Sequence, residues 1–310
     1  MMDSGIENAE FEWIKKMIIS NFENMKINHI MQLGEGWMSR AYLINHEVVF
    51  RFPKEKAGAI DTEKEIKALP NLKKHLSLNI PEFIYCGKQD NGYPFVGYRL
   101  LPGEPMDEQL FYTLPSETKN KIAHQIAEFM DQISSFSVEQ AKNLNIPEKN
   151  FYQFYLETFN EVKEKAFTKI NQDMQTYISF RFGTYLENKN HFRYSPMLLH
   201  ADLSMDHLLF DKERQKLTGI IDFGDMKIGD PDYEYLYLLE ECGEEFTKKV
   251  MELRKEENVQ HKFEKLSFFL TADNVVLLLE GLKRNNREMV EEAVDIIQCE
   301  MKTKHIGHRN

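Results

Sequence analysis

The chain is expected to fold as an α+β protein of two lobes, a small β-rich lobe over residues 1–101 and a larger, mainly helical lobe over residues 102–310. Three observations predict this. The first hundred residues read as short apolar runs punctuated by Gly and Pro. The cluster PGEP after Leu101 ends extended structure and places a hinge at about 98–104. Beyond it, apolar residues recur at helical rather than strand spacing. With 310 residues, 42% hydrophobic and 12% aromatic, the chain can build more than one core and is expected to be globular throughout.

Taken in order, MQLGEGWMSRAYLI, EVVFRFP, IPEFIYCG and YPFVGYRLL supply five short strands, and the charged segment DTEKEIKAL supplies one helix after the third. In SETKNKIAHQIAEFMDQISSF, Ile122, Ile126, Phe129, Met130 and Ile133 mark the buried face of a helix with Ser116 as its N-cap. The aromatic and charged stretch from Asn150 to about Asn188 reads as two helices. After Asp232 the chain is helical almost to its end, and FFLTADNVVLLLEGL is apolar around most of its circumference, which implies deep burial.

A formal net charge of −11 argues against a nucleic-acid partner and suits a cationic ligand. No run of eighteen apolar residues is present and the start, MMDSGIENAEFEW, is acidic, so a cytoplasmic protein without membrane attachment is expected. Cys86, Cys242 and Cys299 are far apart and odd in number, which suggests neither a disulfide framework nor a Cys-x-x-Cys metal site. His305 and His308 stand in a polar tail without acidic or Cys partners, and read as disordered rather than metal-binding.

The segment Leu198–Phe223 carries the chemistry. It reads LLHADLSMDHLLF, a polar turn, then LTGIIDFG, and sets Asp202 and Asp222 at the ends of short apolar runs, with His200 and His207 flanking the first. Phosphoryl transfer needs one carboxylate to orient a hydroxyl and take its proton, and a second to hold magnesium against nucleotide phosphates. Asp202 suits the first task and Asp222 the second.

The blocks HADLSMDH (200 to 207), GIIDFGD (219 to 225) and IGDPDYEYLYLLEEC (228 to 242) resemble the aminoglycoside phosphotransferases, enzymes with a protein-kinase-like fold. LGEGW (33 to 37), VFRFPK (49 to 54) and PFVGYR (94 to 99) extend the resemblance over nearly the whole chain, in particular to the branch that phosphorylates the 2″-hydroxyl of gentamicin-type and kanamycin-type drugs. The resemblance implies Asp202 as catalytic base, Asp222 as a magnesium ligand, and antibiotic resistance as the outcome. His207 stands where kinases use a metal-binding asparagine; imidazole can ligate a divalent metal, although magnesium prefers oxygen. His200 reads as a structural histidine.

On the nucleotide side, the resemblance puts Arg51 where kinases carry a phosphate-binding lysine; arginine keeps the charge and forks onto phosphate oxygens. Lys54, after Pro53, is the weaker candidate. Glu63 matches the helix partner of that cation by spacing, with Glu65 as the fallback. Gly34 and Gly36 would admit backbone amides to the phosphates, and Ser39 could offer its hydroxyl. Tyr98 matches the back of the nucleotide pocket, with Arg99 to Leu101 presenting backbone to the base; a bulky aromatic there implies GTP rather than ATP as donor.

Between Gly219 and Phe246 stand nine acidic residues against the single Lys227, a balance that suits a polycationic substrate. Asp225, Glu240 and Glu241 are the leading candidates for ammonium contacts. Asp230 and Asp232 could instead tie the core together, and Glu244 and Glu245 could simply begin a solvated helix. Asp273 and Glu280 are candidates on the buried C-terminal helix and would need a partner if interior. A monomer is expected. The competing readings are a kinase of another small hydroxyl compound, such as choline, homoserine or a macrolide, and an inert nucleotide-binding regulator.

Overall fold

The computed structural model describes residues 4–306. In chain order these form α1 (Ser4–Asn21), β1 (Ile30–Glu35), β2 (Ser39–Ile44), β3 (Val48–Pro53), α2 (Lys56–Leu72), β4 (Phe83–Lys88), β5 (Pro94–Arg99) and β6 (Glu104–Pro105). There follow α3 (Glu108–Thr113), α4 (Ser116–Ser134), α5 (Val138–Asn143), α6 (Phe151–Lys165), α7 (Gln172–Glu187), β7 (Met197–Leu199), β8 (Leu208–Asp211) and β9 (Lys216–Ile220). β10 (Lys227–Gly229), α8 (Leu236–Leu253), α9 (Val259–Lys283) and α10 (Arg287–Ile306) complete the set.

The chain forms two compact units. The first gathers residues up to Gln125 with Glu139–Ile146 and Met205–Met226; the second holds Ile126–Val138, Pro147–Ser204 and the chain from Lys227 onward. This grouping differs from a single division at Leu101, because β8 and β9 join the first unit. Their attachment is visible in hydrogen bonds: Gln125 exchanges two with the backbone of Leu217, at 2.8 and 2.9 Å, and the Asn79 amide donates to the Thr218 carbonyl.

The five expected N-terminal strands form one antiparallel sheet in the order β1-β2-β3-β5-β4, with α2 after β3. Strand alternation gives it two different faces. Tyr42, Ile44, Phe50 and Phe52 point to one side and pack with Phe95 and with Ile14, Met17 and Ile18 of α1. Leu43, Val49 and Tyr98 point to the other side, with Ala41, Phe83 and Leu101 packed around them. The expectation did not include α1. Its signal lies in Ile14, Met17 and Ile18, spaced three and four apart within a charged segment.

In the second unit β7 pairs antiparallel with β10, and the helices enclose an aromatic core in which Tyr155, Phe182, Phe268 and Phe269 are almost fully buried. The two helices expected in residues 150–188 are α6 and α7, and α9 is as buried as its all-round apolar sequence implies. One boundary shifts: Ser116 is the first residue of α4 rather than its cap. The cysteines form no disulfide among the described residues, and no described helix is long and apolar enough to cross a membrane. His308 lies outside the described residues, as does the side chain of His305.

Gly97 shows how tightly the sheet is packed. It pairs with Phe50 across the β3–β5 ladder, and a Cβ added there would lie 2.6 Å from the Phe50 ring. Overpacking of this kind costs about 1–3 kcal/mol. Gly97→Ala is therefore expected to lower the urea midpoint by that amount of stability with an unchanged denaturant slope.

Candidate active site

The first unit holds Arg51, His207 and Asp222, with Arg51 on the sheet face opposite α1. Arg51 lies on β3, two residues from Val49, so strand periodicity sets it on the same face as Tyr98 and its apolar neighbours. Its guanidinium donates to Glu65 of α2 and reaches Asp222 Oδ1 at 3.3 Å. Glu65 is completely buried, whereas Glu63 is exposed. The expectation at Glu63 is thereby corrected. The buried face of α2 runs through Ala59, Thr62, Glu65, Leu69 and Leu72, and position 63 falls off that stripe.

Asp222 follows β9 and takes a left-handed conformation, φ 60° and ψ 69°. Its carboxylate accepts the Gly224 N–H at 3.4 Å, so the side chain helps hold its own turn. The turn is also gripped from α2: Lys64, nearly buried, donates to the Gly224 carbonyl and to Asp61 Oδ1 at 3.0 Å. Nothing in the sequence pattern pointed to Lys64, since a lysine beside a glutamate on a charged helix reads as a solvated pair.

His207 ends a short helical turn before β8, with Nε2 3.8 Å from Asp222 Oδ2. The chain thus brings together the two expected metal ligands. No group of three or more His, Cys, Asp or Glu that could by itself hold a metal ion occurs among the described residues. Magnesium fits such a site, because it is usually held by one or two carboxylates and completed by water and phosphate oxygens.

The β1–β2 turn is closed by the Gly36 N–H, which donates to the Ser39 carbonyl at 3.0 Å. That amide is engaged within the hairpin, contrary to the expectation that it would face phosphates. A Cβ at Gly34 would meet nothing within 4 Å, and at Gly36 only the Ser39 carbonyl at 3.9 Å. The β1–β2 register shifts between Gln32 and Gly34, so the hairpin itself is irregular where these glycines stand. Glu35 between them is held by Lys54 at 2.9 Å and Arg40 at 3.2 Å, and Lys54 lowers its pKa.

Tyr98 is buried against Val49 and Phe83, and burial raises its phenol pKa. Arg99 is exposed and Leu101 half-buried beside the Tyr98 cluster. Of the backbone between them, the Leu100 N–H is taken by the Glu47 carbonyl at 2.8 Å.

The second unit builds the loop of Asp202. After β7, His200 is wholly buried and Ala201 adopts φ 66°, an unfavourable conformation for alanine. Glu234 holds it: one carboxylate oxygen accepts the His200 N–H at 3.0 Å and the other the Ala201 N–H at 2.9 Å. Asp202 follows directly and is partly exposed. Burial pushes the Glu234 carboxyl up to about 7, against the pull of those two N–H groups and of Arg254 and Lys227.

Several expected substrate contacts are redistributed. Asp230 is fully buried and ion-paired to Lys265 at 2.6 Å, so it is corrected from an ammonium-binding residue to a structural one. Asp232 accepts from Lys262 and, at 2.5 Å, from Lys265. Burial raises Asp230 to about 6, while the two ammonium groups offset burial at Asp232 and leave its pKa lowered. Glu280 is also corrected: it is paired with Lys283 at 2.8 Å and Arg284 at 3.2 Å one turn along α9. The exposed Asp225 belongs to the first unit. In the second, Glu240 is exposed and Glu241 half-buried on α8, and Asp273 is half-buried on α9. Gly243, at φ 80°, kinks α8 so that Glu244, a candidate ammonium contact, and Glu245 start its second segment, both exposed.

Two comparisons with known proteins bear on this site. The sequence pattern of the phosphotransferase enzyme family APH matches residues 29–258. The structure resembles the GDP and kanamycin complex of APH(2″)-IIIa with 40% identity and a TM-score of 0.91, over 94% of this chain and 98% of that one. The GDP complex of wild-type aminoglycoside 2′-phosphotransferase-IIIa is similar at 39% identity and TM-score 0.91, covering 94% and 98% of the two chains. A gentamicin complex of APH(2″)-IIa, 24% identical with TM-score 0.73 over 96% of each chain, shares the fold.

Removing one partner of a buried ion pair typically costs about 3–5 kcal/mol, and changing an exposed residue less than about 0.5 kcal/mol. Glu65→Ala is expected to destabilise on the first scale and Glu63→Ala on the second, as read from chemical denaturation. The Glu234 carboxyl has its folded pKa raised above its ordinary value of 4.5 to about 7. Its contribution to stability is therefore complete below 4.5 and is lost as pH rises through 7. Denaturation of Glu234→Gln between those pH values should show a flatter decline of stability with pH than the wild type; parallel curves would contradict the assignment.

Proposed function

We propose, because the chain belongs to the phosphotransferase enzyme family, that it transfers the γ-phosphoryl group of a nucleoside triphosphate, GTP in preference to ATP, to the 2″-hydroxyl of an aminoglycoside. The observation that carries this reading is the full-length similarity to an aminoglycoside phosphotransferase whose structure holds GDP and kanamycin. The fold is kinase-like, a β-sheet N-terminal region followed by a mainly helical remainder. We read the protein as acting in the cytoplasm as a monomer.

Asp202 orients the attacking hydroxyl and accepts its proton as oxygen bonds to the γ-phosphorus. The bond from that phosphorus to the β–γ bridging oxygen breaks, and the nucleoside diphosphate leaves. Arg51, fixed by Glu65, offsets phosphate charge. Asp222 and His207 would hold magnesium, which when bound neutralises charge on the phosphate oxygens. Gly34, Gly36 and Ser39 line the phosphate side, and Tyr98 with Leu101 bounds the base; a bulky, buried tyrosine favours guanine by shape. Asp225, Glu240, Glu241, Glu244 and Asp273 supply carboxylates for the ammonium groups of the drug, and phosphorylation puts negative charge on a molecule that acts through its cations, which confers resistance.

The test is transfer of label from γ-labelled GTP, and separately ATP, to kanamycin, gentamicin and choline. Labelled aminoglycoside formed more readily from GTP is expected, with a loss of about 10²–10⁴ in turnover for Asp202→Ala. Label on choline alone would overturn the substrate, and equal or better use of ATP would overturn the donor preference.

A further inference from the structure

We infer that Lys64 is a positioning residue for the magnesium-binding carboxylate Asp222, acting through the backbone carbonyl of Gly224. This rests on the reading of Asp222 as a metal ligand and adds to it a residue outside the expected set.

Successive residues of an α-helix point about 100° apart, so two neighbours can address different partners. On α2 the neighbours Lys64 and Glu65 are both buried. Glu65 faces β3 and holds Arg51, which reaches the Asp222 carboxylate. Lys64 turns to the loop itself and donates to the carbonyl two residues beyond Asp222. One turn of helix thus grips the aspartate from its side chain and from its backbone.

The contact is tight by a second measure. A Cβ added at Gly224 would come 3.7 Å from Asp61 Cβ on α2 and 3.2 Å from Asp222 Oδ1 in its own turn, so the helix stands close to the turn beside the lysine contact. An ammonium group removed from water is costly unless its donors are satisfied. Here Asp61, at 3.0 Å, and the Gly224 carbonyl accept two of its three N–H groups. The left-handed φ of Asp222 is unfavourable for a residue with a side chain, and a charge-assisted bond to the neighbouring carbonyl offsets that cost in one conformation of the turn.

Positioning predicts a loss confined to the metal-dependent part of nucleotide binding. The experiment titrates a fluorescent guanine nucleotide into the full chain with and without magnesium, for wild type, Lys64→Met, Lys64→Gln and Asp61→Asn. Losing one hydrogen bond from a charged donor should reduce the magnesium-dependent tightening by about tenfold in Lys64→Met, with metal-free affinity within about twofold of wild type. Asp61→Asn, which keeps the lysine on the carbonyl, should retain the tightening.

Unchanged tightening in Lys64→Met overturns the proposal, and so does an equal loss in Asp61→Asn, which would assign the effect to the ion pair alone. If Lys64→Met does not fold, Lys64→Gln is judged by the same comparison, a reduction supporting positioning and no reduction overturning it. Absence of any magnesium effect in wild type would instead remove the metal role of Asp222, and the inference with it.

Discussion

The first unit turns on one buried charge. Glu65 has no solvent exposure, and a carboxylate in that position is tolerable only with a cation against it. Arg51 supplies the cation, and because it stands on the sheet face that carries Tyr98, its ion pair also fixes where α2 lies along β3. The remaining reach of the guanidinium goes to Asp222, a residue 171 positions further along the chain. One side chain thus meets a requirement of folding and, on the proposed function, a requirement of phosphate chemistry. Arginine suits the double duty better than lysine, since its planar fork can serve two carboxylates while keeping its charge.

The second unit repeats the logic with a neutral partner. Glu234 is buried, but it accepts two backbone N–H groups rather than a side-chain cation, and those N–H groups belong to the residues directly before Asp202. Ala201 is thereby kept in a conformation its Cβ resists. In each unit a buried carboxylate therefore stands behind an aspartate of the proposed site, through an ion pair in one and amide hydrogen bonds in the other.

These arrangements explain which parts were legible in the sequence. The five strands and the helix after the third could be read because alternation and punctuation are local signals, and the family because the blocks around Asp202, Asp222 and Arg51 are recognisable. Glu65 was passed over for Glu63 because spacing from a strand does not fix the rotation of a helix; the apolar stripe Ala59, Leu69 and Leu72 does. Asp230 and Glu280 were counted toward substrate because a carboxylate's sign is visible in sequence and its partner is not. Lys265 lies 35 residues beyond Asp230, and no periodicity links them. α1 was missed because its apolar residues are diluted by charge, and only the waiting face of Phe50, Phe52 and Phe95 makes them a core.

The acidic excess then takes on a narrower meaning. A net charge of −11 describes the whole chain, but carboxylates spent on interior pairs contribute little to the field a diffusing cation meets. Asp230 and Asp232 are spent in this way, Glu234 is buried on backbone amides, and Glu280 is paired within its own helix at the surface. Lys262 and Lys265 are the cations that offset the first two, and both sit on α9, the helix that also carries Asp273. The half-buried Asp273 therefore shares its helix with two neutralising lysines, while the exposed Asp225 and Glu240 and the half-buried Glu241 stand on other elements. Affinity for a polyamine should consequently depend on those three residues more than on the total acidity of the segment, because only accessible carboxylates can exchange hydration for an ammonium contact.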